Sequence, residues 1–251
     1  MEPKSTSQND EAVVLKDVTK YFGSLAAVFN ASFVIKNGRL HSVIGPNGAG
    51  KTTLFNLICG NLACTSGQIL FFGQDITHTP SYRRSRIGLG RTFQITNLFQ
   101  ELTLGENLML AVGPKIFGLD HFRLAPMESS DALAILEEFG LADKWRTKIK
   151  NLSYGEQRQV EVVLGLALKS KVLFMDEPFA GLSPAEASQM IGIIGRIKGK
   201  VTVVLVEHDL DAVFELSDRI IVMHAGEILT EGTREEIRKD QRVQEVYLGG
   251  I

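Results

Sequence analysis

In the run Gly45-Pro46-Asn47-Gly48-Ala49-Gly50-Lys51-Thr52-Thr53, the first eight residues match the pattern GxxxxGK[ST] in full. Glycines at this spacing let the backbone turn successive N–H groups inward around phosphate oxygens. The pattern opens onto a helix N-terminus, whose partial positive charge favours an anion. Lys51 is then placed to reach the β- and γ-phosphates of a nucleotide, and the Thr52 hydroxyl to ligate Mg²⁺. A second group stands at the end of Val172-Leu173-Phe174-Met175-Asp176-Glu177, four apolar residues followed by two carboxylates. Such a strand ends at the carboxyl edge of a parallel sheet, where ligands bind. Asp176 is placed to hold the Mg²⁺ shell, and Glu177 to orient and deprotonate an attacking water. His208 follows the apolar run 201–206 and Glu207. A histidine at that strand end reaches the same edge and the γ-phosphate.

These groups need strands and helices to hold them. Short apolar runs predict strands over 13–15, 31–35, 40–44, 68–72, 172–175, 201–206 and 220–223, with Tyr21-Phe22-Gly23 as a turn. Helical spacing predicts helices over 52–59, 132–139, 155–169, 184–197 and 210–216, and places Leu102, Leu108 and Leu110 on another. Residues 113–126 carry Gly and Pro and read as a connection or irregular insertion, and residues 1–10 as a frayed tail. Strands alternating with helices imply an α/β fold with a parallel sheet, interrupted by an inserted helical region.

Composition narrows the field of functions. Of 251 residues, 44% are apolar and 22% charged, and the net charge is −2. That permits a full core and offers no basic excess for nucleic acid or an anionic membrane. Cys59 and Cys64 have no neighbouring cluster of the kind that holds zinc, and read as reduced thiols. The first eleven residues are polar, so no signal peptide is expected, and no apolar run is long enough to span a bilayer.

Leu152-Ser153-Tyr154-Gly155-Glu156-Gln157, shortly before the acidic strand, resembles the LSGGQ signature of ABC ATPases. Gln94 is similar to that family's Q-loop glutamine, Ala180-Gly181-Leu182-Ser183 to its D-loop, His208 to its switch histidine and Phe22 to the aromatic that stacks on adenine. The elements follow the family's order across residues 13–232. The resemblance implies a P-loop (RecA-like) parallel sheet core with an antiparallel β subdomain and an inserted α-helical subdomain. Core and β subdomain would occupy 12–94 and 171–232, the helical subdomain 95–170 and a C-terminal tail 233–251. It also implies ATP hydrolysis with Mg²⁺ by a head-to-tail dimer. Phe22 and residues 45–53 of one cassette, with Ser153, Gly155 and Glu156 of the other, would bind ATP. Glu177, His208 and Gln94 would act in hydrolysis, and Thr52, Gln94 and Asp176 would serve the metal. Gln94 would also couple the site to a membrane partner. The sequence departs from the family at Tyr154 and Glu156, and at Ser183, where the D-loop commonly ends in Asp. No D-loop carboxylate contact is therefore carried over.

A finer resemblance, to the ATP-binding subunits of branched-chain (hydrophobic) amino-acid importers, rests on four stretches. They are Gly88-Leu89-Gly90-Arg91-Thr92-Phe93-Gln94, the segment 98–108, the segment 176–184 and Val246-Tyr247-Leu248-Gly249. It implies a peripheral protein on the cytoplasmic face of the membrane. Its partners would be permease subunits, a second ATP-binding subunit (identical or paralogous) and, indirectly, a solute-binding protein. Urea, short amides and aromatic acids are alternative cargoes of that subfamily. Other ABC readings fit less well. A nucleic-acid mechanoenzyme needs coiled-coil arms, zinc insertions or a basic face, and a translation factor carries two cassettes. A small-molecule P-loop kinase would lack the signature segment.

Overall fold

Strands that are apolar on both faces must be covered on both faces. β3 (Leu40–Ile44), β7 (Val172–Asp176) and β8 (Thr202–Val206) are buried at every position. They form the centre of a six-stranded sheet of order β10-β9-β3-β8-β7-β6, completed by β6 (Leu89–Arg91), β9 (Arg219–His224) and β10 (Glu227–Gly232). Its pairings are parallel except for β10 on β9. The computed structural model describes residues 10–92, 98–116 and 135–248, with backbone alone at 112–116 and 248.

Register decides what meets at the sheet's carboxyl edge. Val206 of β8 pairs with Val43 on one side and Asp176 on the other. The three central strands therefore end within one residue of level, with Ile44, Glu177 and Glu207 side by side and Gly45 next in the chain.

A second sheet of order β2-β1-β4-β5 is antiparallel throughout: β1 (Glu11–Phe22), β2 (Leu25–Lys36), β4 (Ser66–Phe71) and β5 (Gln74–Asp75). The Phe29 N–H donates to the Gly226 carbonyl across 2.8 Å and joins the two sheets. The expected turn at Tyr21-Phe22-Gly23 falls instead on Gly23 and Ser24. Phe22 pairs with Leu25, and Gly23 at φ 59 supplies the left-handed residue that the tight reversal needs.

Between the sheets lies one apolar cluster, which also takes in α1 (Lys51–Cys59) through Leu54, Phe55, Leu57 and Ile58. On the other face of the parallel sheet, α3 (Leu104–Ile116), α4 (Tyr154–Ala167) and α5 (Pro184–Ile197) contribute to a second cluster. A third joins β9 to α6 (Leu210–Leu216), α7 (Arg234–Lys239) and α8 (Gln241–Leu248). Its members include Tyr247, whose phenol burial pushes up to about 12.

Helix α2 (Ser81–Arg86) supplies a buried cation. Arg84, 1% exposed, donates to the carbonyls of Leu57 and Ile58 at the end of α1 (2.8 and 2.6 Å) and to those of Thr77 and Thr79 (3.1 and 2.7 Å). Helices end with unpaired carbonyls, and a guanidinium with five donors answers several at once.

The connection expected over 113–126 begins later, because α3 runs on through Gly113 and Pro114 to Ile116. Proline removes one rung of a helix ladder, a loss that a helix ending two residues later sustains. Residues 117–126, the tail 1–9 and Gln94 lie outside the described residues. Strands β6 and β10 and helices α2, α7 and α8 were not anticipated. They are short, and β10 is half-exposed along most of its length, which blurs its alternation.

Candidate functional site

The loop after β3 is shaped by close approach. A Cβ on Gly45 would collide with the Met223 carbonyl oxygen, and one on Gly50 (φ 98) with that of Ala27. Only glycine fits either place. Gly50 caps α1 without a side-chain acceptor, which leaves the first amides of that helix facing the loop. Lys51 is 8% exposed, and its Nζ donates to the carbonyls of Gly45 (2.6 Å) and Pro46 (3.0 Å), folding the loop around its own ammonium. Burial pushes the Lys51 ammonium below its usual value, and the carboxylates of Glu177, Asp176 and Glu207 oppose this. Asn47, Gly48 and Thr52 are exposed, Pro46 and Thr53 half-buried, and Ala49 buried against the core between the sheets.

Asp176 closes β7 with its side chain 2% exposed. The nearest cation is Arg91, whose Nη2 lies 3.6 Å from Asp176 Oδ2, and that oxygen makes no hydrogen bond among the described residues. Burial raises the Asp176 carboxyl above the usual range, and Arg91 opposes this. A buried carboxylate oxygen without a donor and an exposed threonine hydroxyl on the loop are hard-oxygen donors of the kind that suits Mg²⁺. Arg91 is itself held by Asn56 Oδ1 at 2.7 Å and lies over the Phe55 ring at 4.6 Å.

Glu177 follows with a left-handed backbone, φ 48. His208, exposed at the end of β8, brings Nδ1 to 3.9 Å from Glu177 Oε1 and 3.8 Å from Glu207 Oε2. Lys51, Asp176, Glu177 and His208 therefore meet at one sheet edge although 157 positions of sequence separate the first from the last (208 − 51). Phe22 stands apart from them on the antiparallel sheet, 47% exposed, with Lys20 Nζ 5.2 Å from its ring centroid.

Ser153, Gly155 and Glu156 stand at the start of α4. Among the described residues, no hydrogen bond joins them to the loop 45–53. Ser153 caps α4 in a capping box: its Oγ accepts the Glu156 N–H (3.2 Å), and Glu156 Oε2 accepts the Ser153 N–H (2.8 Å). Lys144 pairs with the other Glu156 oxygen. Because Ser153 Oγ accepts, its hydrogen stays available to an outside anion. The departure at Glu156 is thus a helix cap. Tyr154 lies beside Gly181, where an added Cβ would stand 3.2 Å from the ring. Ser183 begins α5 with a second capping box, closed by Glu186.

Sequence reasoning assigned no role to Glu207, Arg91 or Glu186. The motif Ser-x-x-Glu at 183–186 was the available signal for Glu186.

The family model "ABC transporter" matches residues 28–180, and "Branched-chain amino acid ATP-binding cassette transporter" matches 227–250. The chain is 38% identical over 239 residues to the high-affinity branched-chain amino acid transport ATP-binding protein LivG of Escherichia coli (strain K12), covering 91% of this chain and 94% of that one. Among solved structures, the ADP conformation of an ATP-binding cassette superposes with a TM-score of 0.84 at 30% identity, over 95% of this chain and 99% of the other. A dimeric, post-hydrolysis cassette bound to ADP and Pi gives 0.75 at 28% identity, over 88% and 98%.

Proposed function

Since the chain belongs to the ABC transporter family and is an ATPase of that family, we propose that it energises uptake of branched-chain amino acids through a separate permease. What carries the reading is the convergence of Lys51, Asp176, Glu177 and His208 where β3, β7 and β8 end within one residue of level. Beside it stands the likeness to a branched-chain amino acid transport ATP-binding protein over nearly the whole chain.

In this reading Phe22 stacks on adenine, and the amides of 45–53 with Lys51 grip the β- and γ-phosphates. Thr52 and Asp176 would hold Mg²⁺, with Gln94 as a further ligand, and the ion would neutralise charge spread over the phosphates. Glu177 takes a proton from the attacking water, and His208 holds the γ-phosphate side. Ser153, Gly155 and Glu156 face a second cassette and close on the nucleotide bound to its loop. A γ-phosphate then favours the closed dimer over the open one, the differential affinity that any ligand-driven switch requires. The working division is a core with its β subdomain at 12–94 and 171–232, a helical subdomain at 95–170 that meets the permease, and a tail at 233–251. Among the described residues no helix is long and apolar enough to cross a membrane, and we place the chain peripherally on the cytoplasmic face.

Glu177→Gln is the decisive test. It should retain ATP binding, slow hydrolysis by roughly 10²–10⁴-fold and trap an ATP-bound dimer on size-exclusion chromatography. Undiminished turnover would remove Glu177 from the reaction.

A further inference from the structure

Glu207 takes no part in the roles above, and it is fully buried at the end of β8. A carboxylate shut away from water is costly unless donors surround it. Here Oε1 accepts the Phe179 N–H at 3.1 Å, and Oε2 accepts the His208 N–H at 3.1 Å. Burial pushes the Glu207 carboxyl up, and these two amides oppose it. The two donors belong to the two loops that leave β7 and β8, one carrying Glu177 and the other His208.

The first of those loops is strained. Glu177, a non-glycine residue, sits at φ 48, a region that persists only where neighbours hold it. The Glu177 N–H donates to the Val206 carbonyl (2.9 Å), and the Glu177 carbonyl accepts from Ala180 (3.1 Å). Between them the Phe179 N–H, buried in the same turn, finds its acceptor in Glu207. An apolar side chain at 207 would fill the space and leave two amides unpaired.

We infer that Glu207 is a positioning residue of the hydrolytic site: one carboxylate fixes the strained turn of Glu177 and the loop of His208 in common register. This rests on the reading of Glu177 and His208 proposed above. The requirement is orientation, so it falls on turnover and not on nucleotide affinity.

The test compares full-length Glu207→Ala, Glu207→Gln and Glu177→Gln with the parent protein in steady-state Mg²⁺-ATP hydrolysis, with ADP affinity by calorimetry and thermal melts. Glu207→Ala should lower kcat roughly tenfold or more while KM for ATP and ADP affinity stay within about twofold. Glu207→Gln retains one acceptor and should recover part of kcat. A role in packing alone would lower the melting temperature without that split. Unchanged kcat in a folded Glu207→Ala, or KM rising as kcat falls, overturns the inference. Should Glu207→Ala not fold, the same kcat criterion applied to Glu207→Gln decides it. Full activity in Glu177→Gln would instead sink the underlying site reading, which keeps the two failures distinct.

Discussion

Glu186, in the first turn of α5, accepts the N–H of Gly155, in the first turn of α4, with 3.3 Å between Oε1 and N. Its other oxygen holds the Ser183 N–H (2.9 Å) and hydroxyl (2.7 Å). One carboxylate thus ties the signature segment to the D-loop, and Tyr154 beside Gly181 reinforces the join.

Gly155→Ala should break this tie. The added Cβ would stand 2.6 Å from Glu186 Oε1, so the carboxylate must move and the capping box of α5 opens. Loss of a helix cap costs about 1 kcal/mol, or roughly 2–4 °C in a chain of this size. Thermal melts read the first effect and ATPase assays the second, which should exceed what the melt accounts for. A variant as stable and as active as the parent would deny the tie any importance.

Ser153→Arg should leave ATP binding to the single cassette intact and block dimer closure, because Ser153 is exposed at the proposed mating face. Placed in the Glu177→Gln background, it should abolish the ATP-induced dimer on size-exclusion chromatography. A dimer that still forms would argue against contact in trans.

Lys51→Ala removes an ammonium that folds the loop and, in the proposed reading, grips the phosphates. Charge-assisted hydrogen bonds of this kind are worth about 1.5–3 kcal/mol, so ATP affinity should fall roughly 10–100-fold or more. Calorimetric titration measures it directly, and parental affinity would reject the loop as the nucleotide site.

Stability should fall on mild acidification through His41, fully buried on β3. Burial lowers its pKa from 6.5 to about 4, with Asp218 opposing, and its Nε2 accepts the Lys36 N–H at 3.0 Å. The unfolded chain therefore binds the proton more readily than the native one. The stabilisation is complete above pH 6.5 and is lost as pH falls from there towards 4, a change on the order of 3 kcal/mol. Urea denaturation at pH 7.5 and 5 should show the loss, and His41→Gln should flatten it. An equal slope in both proteins would place the acid sensitivity elsewhere.

The nucleotide loop, the acidic strand end and the central strands were legible because each is contiguous and its periodicity is clear. Asp176 and His208 could be placed on strand ends from the apolar runs before them. What escaped was whatever depends on distant partners. Arg84 looks like one of three arginines on a short polar helix, and nothing local marks it as buried. Glu207 reads as a surface acid until the sheet closes over it. Ser183 stands where the family commonly has Asp, and it keeps the helix start, since Ser and Asp serve equally as N-caps: Ser-Pro-Ala-Glu begins α5 with a capping box.

Arg84 carries a consequence for what the site accepts. It binds the end of α1 to Thr77 and Thr79, while Thr77 Oγ1 receives the Ile69 N–H of β4, the neighbour of the strand that bears Phe22. The strand that bears Phe22 and the helix that follows the phosphate loop are thereby mounted on one frame, like the two jaws of a caliper. With Phe22 on the base and residues 45–53 on the phosphates, as proposed above, such a gauge would check the span from base to phosphate and be indifferent to the pattern of groups on the base edge. GTP, of equal span and equally flat, should pass it almost as readily as ATP.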